Sequence, residues 1–328
     1  MKTRSFPQVS FLASEIGLGC WQLGGSDWGA VDDDSALSIL RAASDAGINF
    51  FDTADVYGSG RSETLVGRFL RESRRKDVFV ATKLGRTAAL YPDRYTEAGL
   101  RAATEDSLRR LGVDALDLTQ LHCIPTEIMR RGEVFESLRR LRAEGKIKAF
   151  GASVESVEEG LLCLAQDGLA SLQVIFNVFR QKPAEKLLPL AHDKGVAVIV
   201  RLPLASGVLA GRFTRATAFP AADHRHYNRD GAAFNVGETF AGLPFEKAVD
   251  LADSLKPLVP SGWTLAQLAQ RWILDHAAVT TVITGASRVS QVADNASASD
   301  LPRLAPELHM RLAEFYRDQV HAHIRGPY

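Results

Sequence analysis

The chain has 328 residues, 46% hydrophobic and 24% charged, which gives ample core and excludes disordered, collagen-like and coiled-coil classes. Its 39 Lys and Arg balance 39 Asp and Glu, so no basic excess exists to neutralise phosphates in bulk, and nucleic acid is not expected as a main partner. Three scattered cysteines suit neither a disulfide framework nor a structural zinc site, and no signal-peptide h-region or bilayer-spanning run is found, so a soluble, cytoplasmic protein without a membrane partner is expected.

The predicted elements alternate along the chain. A strand at 16–19 (IGLG) precedes an Asp-rich start and a helical pattern over 34–46, which ends at Gly47. Strand 48–52 then leads to helix 62–72, strand 78–83 to helix 97–111, and strand 117–122 to helix 133–144. Strand 148–153 leads to helix 155–166, and strand 172–177 to helix 183–194. Strand 197–202 is followed by about 75 residues that include helix 264–276, and strand 280–284 by helix 289–298. Glycines 47, 112, 145, 168 and 195 each close an amphipathic stretch just before a β-rich run. The strand runs are nearly continuously apolar, as strands buried on both faces of a parallel sheet are.

Length alone suggests about two domains. Eight β/α units point instead to one domain over 1–328, a (β/α)8 TIM barrel with an extended loop between strands seven and eight and an extra C-terminal helix over 303–323. An open doubly wound sheet is the competing architecture. The stretch 213–245 carries eight aromatic or histidine residues and reads as a lid, an oligomer contact or an irregular surface segment. The closing HAHIRGPY is polar and is expected to be mobile.

In such a barrel the chemistry sits at the carboxyl ends of the strands. Those positions hold Asp52, Tyr57, Lys83 and His122, with Ser153 and Asn177 further round. A phenol is a weak acid at neutral pH, and an adjacent ammonium is expected to lower its pKa. An aspartate keeps the lysine charged, and a histidine can donate to a carbonyl oxygen. The set suits protonation of a forming oxyanion, with hydride supplied by a cofactor. Taken one by one, each residue has an ordinary reading as a turn former, packing group or surface charge.

The motifs IGLGCWQLGG, NFFDTADVYGSGRSETLVGRFL, ATKLG, DLTQLH, FGAS, RLPLASGVLAGRF and ITGASRVSQVADN resemble, in order and spacing, those of the aldo-keto reductase superfamily. The resemblance is to its bacterial-type and potassium-channel-β-like branches. It implies a catalytic tetrad of Asp52, Tyr57, Lys83 and His122, with Tyr57 as general acid in reduction. It implies a nicotinamide cofactor bound without a Rossmann motif. Cys20, Trp21, Ser153, Gln173 and Arg201 would lie at the nicotinamide. Leu204, Ser206, Gly207 and Arg212 would line the pyrophosphate, and Gly285, Ser287, Arg288, Gln291, Asp294 and Asn295 the adenosine end. Trp28, Tyr57, His122 and Cys123 would build the substrate pocket. Arg288 at a helix start favours NADP(H) over NAD(H).

Three departures accompany the resemblance: Val154 where asparagine is common, Arg201 where an aromatic residue is common, and Gly285-Ala286 where Lys-Ser is common. No metal is expected, since His224 and His226 lack a third ligand. The expected function is reduction of an aldehyde or ketone to an alcohol. The rivals are a sugar or alcohol dehydrogenase, a cofactor-binding redox sensor with little turnover, and a Schiff-base lyase using Lys83. An oligomer is compatible with the sequence.

Overall fold

A computed structural model describes residues 1–328, apart from the side chain of Ser26. Ten strands form in chain order: β1 (Thr3–Phe6), β2 (Phe11–Ser14), β3 (Ile16–Gly19), β4 (Phe50–Asp52), β5 (Phe79–Leu84), β6 (Leu116–His122), β7 (Ile147–Ser153), β8 (Leu169–Ile175), β9 (Ala197–Arg201) and β10 (Val279–Gly285). Strands β3 to β10 close into a parallel barrel, with β10 pairing back onto β3 through Val282 opposite Ile16. This is the (β/α)8 barrel expected from the alternation, not an open sheet.

The predicted strand β8 is displaced: it begins at Leu169 rather than 172, because Leu169–Ser171 already pair with β7 and β9. The hairpin of β1 and β2 was not foreseen. Its Phe6 and Phe11 pack on Phe50 and Phe79 with ring centroids 4.8–6.3 Å apart, plugging the amino-terminal end of the barrel. Chemistry is thereby left to the opposite mouth.

The helices wrap the outside, and their ends follow local rules. Asp32 accepts from Ser35 N at the start of helix Asp33–Asp45, and Thr96 from Gly99 N at the start of Glu97–Leu111. Between β9 and β10 the structure adds an amphipathic helix, Phe245–Leu255, which begins where the aromatic stretch 213–245 ends and was not expected. The extra helix is shorter than predicted, spanning Pro306–Phe315 before a wider turn at Tyr316–Val320.

The closing segment is not loose. Arg325 donates to Gly242 O at 3.0 Å and pairs with Asp230 at 2.7 Å, while Tyr328 packs its ring under Arg180. Composition had suggested mobility; specific hydrogen bonds override it. No helix among the described residues is long and apolar enough to cross a membrane.

Candidate active site

Parallel pairing sets the registers that bring the reactive groups together. Asp52 ends β4, Lys83 lies one strand on in β5, and His122 ends β6. Tyr57 arrives on the turn after β4. That turn presses on the first βα loop so tightly that a Cβ on Gly58 would sit 1.6 Å from Gly24 O, and Gly58 also has φ +60°. Only glycine fits there.

Lys83 is 1% exposed. Its ammonium donates to Asp52 Oδ2 at 2.6 Å, Thr53 O at 2.8 Å and Tyr57 Oη at 3.1 Å. All three protons are committed. Burial opposes its charge, but Asp52 and Tyr57 outweigh burial and raise its pKa. The amine stands behind the cavity wall rather than on it, which disfavours a Schiff-base role.

The Tyr57 phenol differs from expectation in sign. Burial pushes it above its ordinary value, and the Lys83 ammonium opposes that shift without reversing it. His122 goes the other way. Burial, then Arg86, Lys83 and Arg201, hold its imidazole well below the usual range, so it is neutral at pH 7. Its Nδ1 is buried and finds no partner among the described residues. The Tyr57 ring stacks on Trp21 (5.8 Å, 15°) and meets His122 edge-on (5.8 Å, 85°).

Asp52, Tyr57 and His122 open on a cavity of about 510 Å³ that runs along the ends of β9 and β10 to Asp294 and Asn295. Trp21, Trp28, Gln173, Arg201, Leu204, Ser206 and Gly207 line it, as do Arg212, Gly285, Ser287, Arg288 and Gln291. Cys20, Ser153 and Cys123 do not reach the wall. Cys20 is fully buried with Sγ 3.7 Å from Leu18 O, and Cys123 Sγ lies 3.5 Å from Ser153 Oγ behind the site.

Two of the residues expected at the cofactor line the cavity and also bond within the protein. Gln173 Nε2 donates to Asp52 Oδ1 at 2.7 Å, fixing the carboxylate. Ser206 Oγ accepts from Phe240 N and donates to Glu238 O, both at 3.2 Å. The amides of Ala205 and Gly207 close turns onto Leu202 O and Leu204 O. The guanidinium of Arg212 also stands on the wall at this end.

The cavity also has walls that motif reading missed. Glu238 comes from the aromatic insertion and pairs with Arg86 (2.7 Å) and Arg201 (3.4 Å). Burial opposes its charge, yet those arginines pull its pKa down to about 2. Arg201 is further held by Val154 O at 3.2 Å and Cys123 Sγ at 3.4 Å, with its Nε unpartnered. Arg225 joins from the same insertion, and Gln267 and Gln270 from helix Leu265–Leu274. An isolated Glu or Arg in a loop carries no sequence signal. Only the i, i+3 spacing of the glutamines could have hinted at a shared face.

The insertion docks on the first βα loop. His224 Nδ1 lies 2.9 Å from Asp27 O, and Tyr227 Oη donates to Asp27 Oδ1 at 2.9 Å. His224 is buried against Trp28 (4.3 Å between rings), whereas His226 is exposed, so the two do not face one ligand. Atoms of Cys123, Glu155 and Glu238 lie within 4.8 Å of each other, but both carboxylates pair with Arg86, and Glu238 also with Arg201.

The donor set fits a nicotinamide dinucleotide. One continuous cleft joins an acid–base end, with an unpartnered imidazole nitrogen and guanidinium nitrogen, to an end where Arg212 and Arg288 are exposed. Comparison with known proteins agrees. Residues 15–317 match the Aldo/keto reductase family. The chain belongs to that family. It is 30% identical over 318 residues to an NADH-specific methylglyoxal reductase of Escherichia coli, covering 92% of this chain and 94% of the relative. The glycerol dehydrogenase AKR11B4 of Gluconobacter oxydans superposes with a TM-score of 0.80 at 32% identity, covering 97% and 96% of the two chains. An aldo-keto reductase of Klebsiella pneumoniae in complex with NADPH gives 0.68 at 27% identity, covering 96% and 95%. The protein is thus a nicotinamide-dependent oxidoreductase of carbonyl compounds.

Proposed function

We propose that this aldo/keto reductase is a single-domain, cytoplasmic enzyme that reduces small aldehydes or ketones with NADP(H) in preference to NAD(H). The observation that carries the reading is Lys83 Nζ bridging, from behind the wall, Asp52 and Tyr57 of the cavity. Its three cysteines are unpaired, in keeping with a reducing compartment.

A bound nicotinamide supplies the hydride. Tyr57 holds the proton that the new alkoxide needs, and burial keeps that proton on Oη at neutral pH. Lys83 stabilises the phenolate left behind, so charge develops beside a fixed cation. Asp52 and Gln173 fix that cation in place. Neutral His122 offers an N–H to the carbonyl oxygen without competing as a proton donor. A protonated phenol favours reduction over the dehydrogenase direction that the Gluconobacter relative's name describes.

Arg212 and Arg288, exposed at the far end of the cleft, support the preference for a 2′-phosphate, as does the NADPH-bound Klebsiella relative. The NADH-specific Escherichia relative is the counterweight. Fluorescence titration with NADPH and NADH, followed by a carbonyl panel with the tighter cofactor, tests the assignment. Tighter NADH binding removes the NADP(H) preference, and absence of turnover on every carbonyl removes the reductase reading.

A further inference from the structure

The turn 235–243 delivers Glu238 to the cavity wall, and little regular structure supports it. It consists of two short turns, Val236–Glu238 and Phe240–Gly242, with Phe240 at φ +52° and Ala241 at φ +59°. Non-glycine residues there are strained and persist only when their surroundings over-determine them. Part of those surroundings comes from one place, the segment 324–328 and the side chain beneath it.

Arg325 donates its backbone N (3.1 Å) and its Nε (3.0 Å) to Gly242 O, and its Nη2 to Leu243 O (3.2 Å). Gly326 approaches so closely that a Cβ there would lie 2.7 Å from Val236 Cγ1. Beneath lies Arg180, only 1% exposed. Its guanidinium donates to Pro327 O (2.5 Å), Glu155 O (3.4 Å) and Ala241 O (3.5 Å), and sits 4.4 Å from the Tyr328 ring centroid. A Cβ on Gly237 would lie 2.3 Å from its Nη1. A buried guanidinium held by carbonyl oxygens and a ring face locks the chain segments that supply them. Those segments are the closing segment, the turn and the loop after β7.

We propose that the segment 324–328 is a strap that acts through Arg180 to position the 235–243 turn, and with it Glu238 and Arg201, at the substrate end of the cavity. Arg180, Arg325 and Tyr328 are positioning residues; none of them touches the reacting atoms. The link onward is short. Glu238 and Phe240 clasp Ser206 on the cavity wall, and Asn235 donates to Glu155 Oε2 at 3.0 Å. Freeing the turn moves Glu238 away from Arg201 and deforms the pocket without touching Tyr57, Lys83 or Asp52. This inference rests on the reductase reading of the cavity.

The test uses the full-length enzyme with saturating cofactor. Tyr328→Ala and Arg325→Ala are expected to raise the carbonyl KM roughly tenfold, the scale of releasing a strained turn, and to leave kcat within about threefold. Tyr328→Phe keeps the ring over Arg180 and restores the native KM. Independently of activity, trypsin is expected to cut the Ala variants faster after Arg225 and Arg229, within the insertion. Native KM and native cleavage rates in folded Ala variants overturn the strap. A kcat loss without a KM change, or equal damage from Tyr328→Phe, also overturns it. Failure of the reductase reading is separate: it shows as full turnover in Tyr57→Phe, whatever the strap variants do.

Discussion

Tyr57 and Lys83 stand 3.1 Å apart, and in the proposed mechanism the balance at that contact sets how pH affects each direction. Burial wins over the ammonium, so the phenol stays protonated through neutral pH. Reduction consumes that proton. Its rate should therefore fall only at strongly alkaline pH, as the folded-state pKa is approached from below, whereas oxidation should keep rising there; stopped-flow rates in both directions would show the crossing. Removing the proton donor with Tyr57→Phe should lower kcat by about 10² or more, with cofactor affinity read by fluorescence nearly unchanged.

A neighbour two residues away offers a check by stability. Asp55 is 5% exposed and neither carboxylate oxygen finds a partner among the described residues. Burial, helped by Glu63, pushes its pKa up to about 7. A carboxyl raised on folding costs nothing below its unfolded pKa and costs progressively more until pH passes the folded value. Asp55→Asn should then stabilise the protein more at pH 8 than at pH 5, by roughly 3 kcal/mol, in urea unfolding at the two pH values. An equal effect at both would mean that the buried carboxyl has found a partner.

The residues legible in the sequence were those whose position alone fixes their direction. Asp52, Lys83 and His122 end or nearly end strands, and a strand end faces the mouth. Spacing says nothing of competition or of depth behind the wall, as Ser153, Cys123 and Gln173 show. Gln173 reaches the cavity but gives its amide to Asp52, and the other two face each other behind the wall.

At the scale of elements, the barrel strands were legible from apolar runs and closing glycines, while the β1–β2 hairpin was not. Its strands, TRSF and FLAS, fall outside the repeating β/α alternation, and the Phe cluster at the barrel base accounts for them. The insertion was legible as an aromatic excess, but its part in the site was not, because Glu238 acts through arginines on β9 and on the loop after β5. The turn after β4 yields the sharpest test at this scale. Any side chain at Gly58 collides with Gly24 O and must push Tyr57 off Lys83. Gly58→Ala should lower kcat at least about tenfold, since a 1 Å misplacement can cost more than that. Circular dichroism should stay native, because the barrel strands are untouched. Native kcat would show that the turn is softer than its packing implies.

For the molecule as a whole, the balance of 39 cations and 39 anions hides an uneven distribution. Arg41, Arg68 and Arg101 on the outer helices pair with nearby carboxylates. Arg212 and Arg288 instead flank the open end of the cleft between β9 and β10, where the barrel rim brings two distant stretches of chain together. A dinucleotide lying there would bridge those stretches and bind only the folded barrel. At a hundredfold excess over Kd, such a ligand adds about 2.7 kcal/mol of stability and raises Tm accordingly. The two nicotinamide cofactors differ only in the 2′-phosphate, so the difference between their Tm shifts isolates what reads that group. Arg288→Ala should erase most of the extra shift given by NADPH and leave the NADH shift in place. Equal loss with both cofactors would place Arg288 on the shared part of the dinucleotide. Retention of the full NADPH shift would move phosphate recognition to another cation of the rim, with Arg212 the next to substitute.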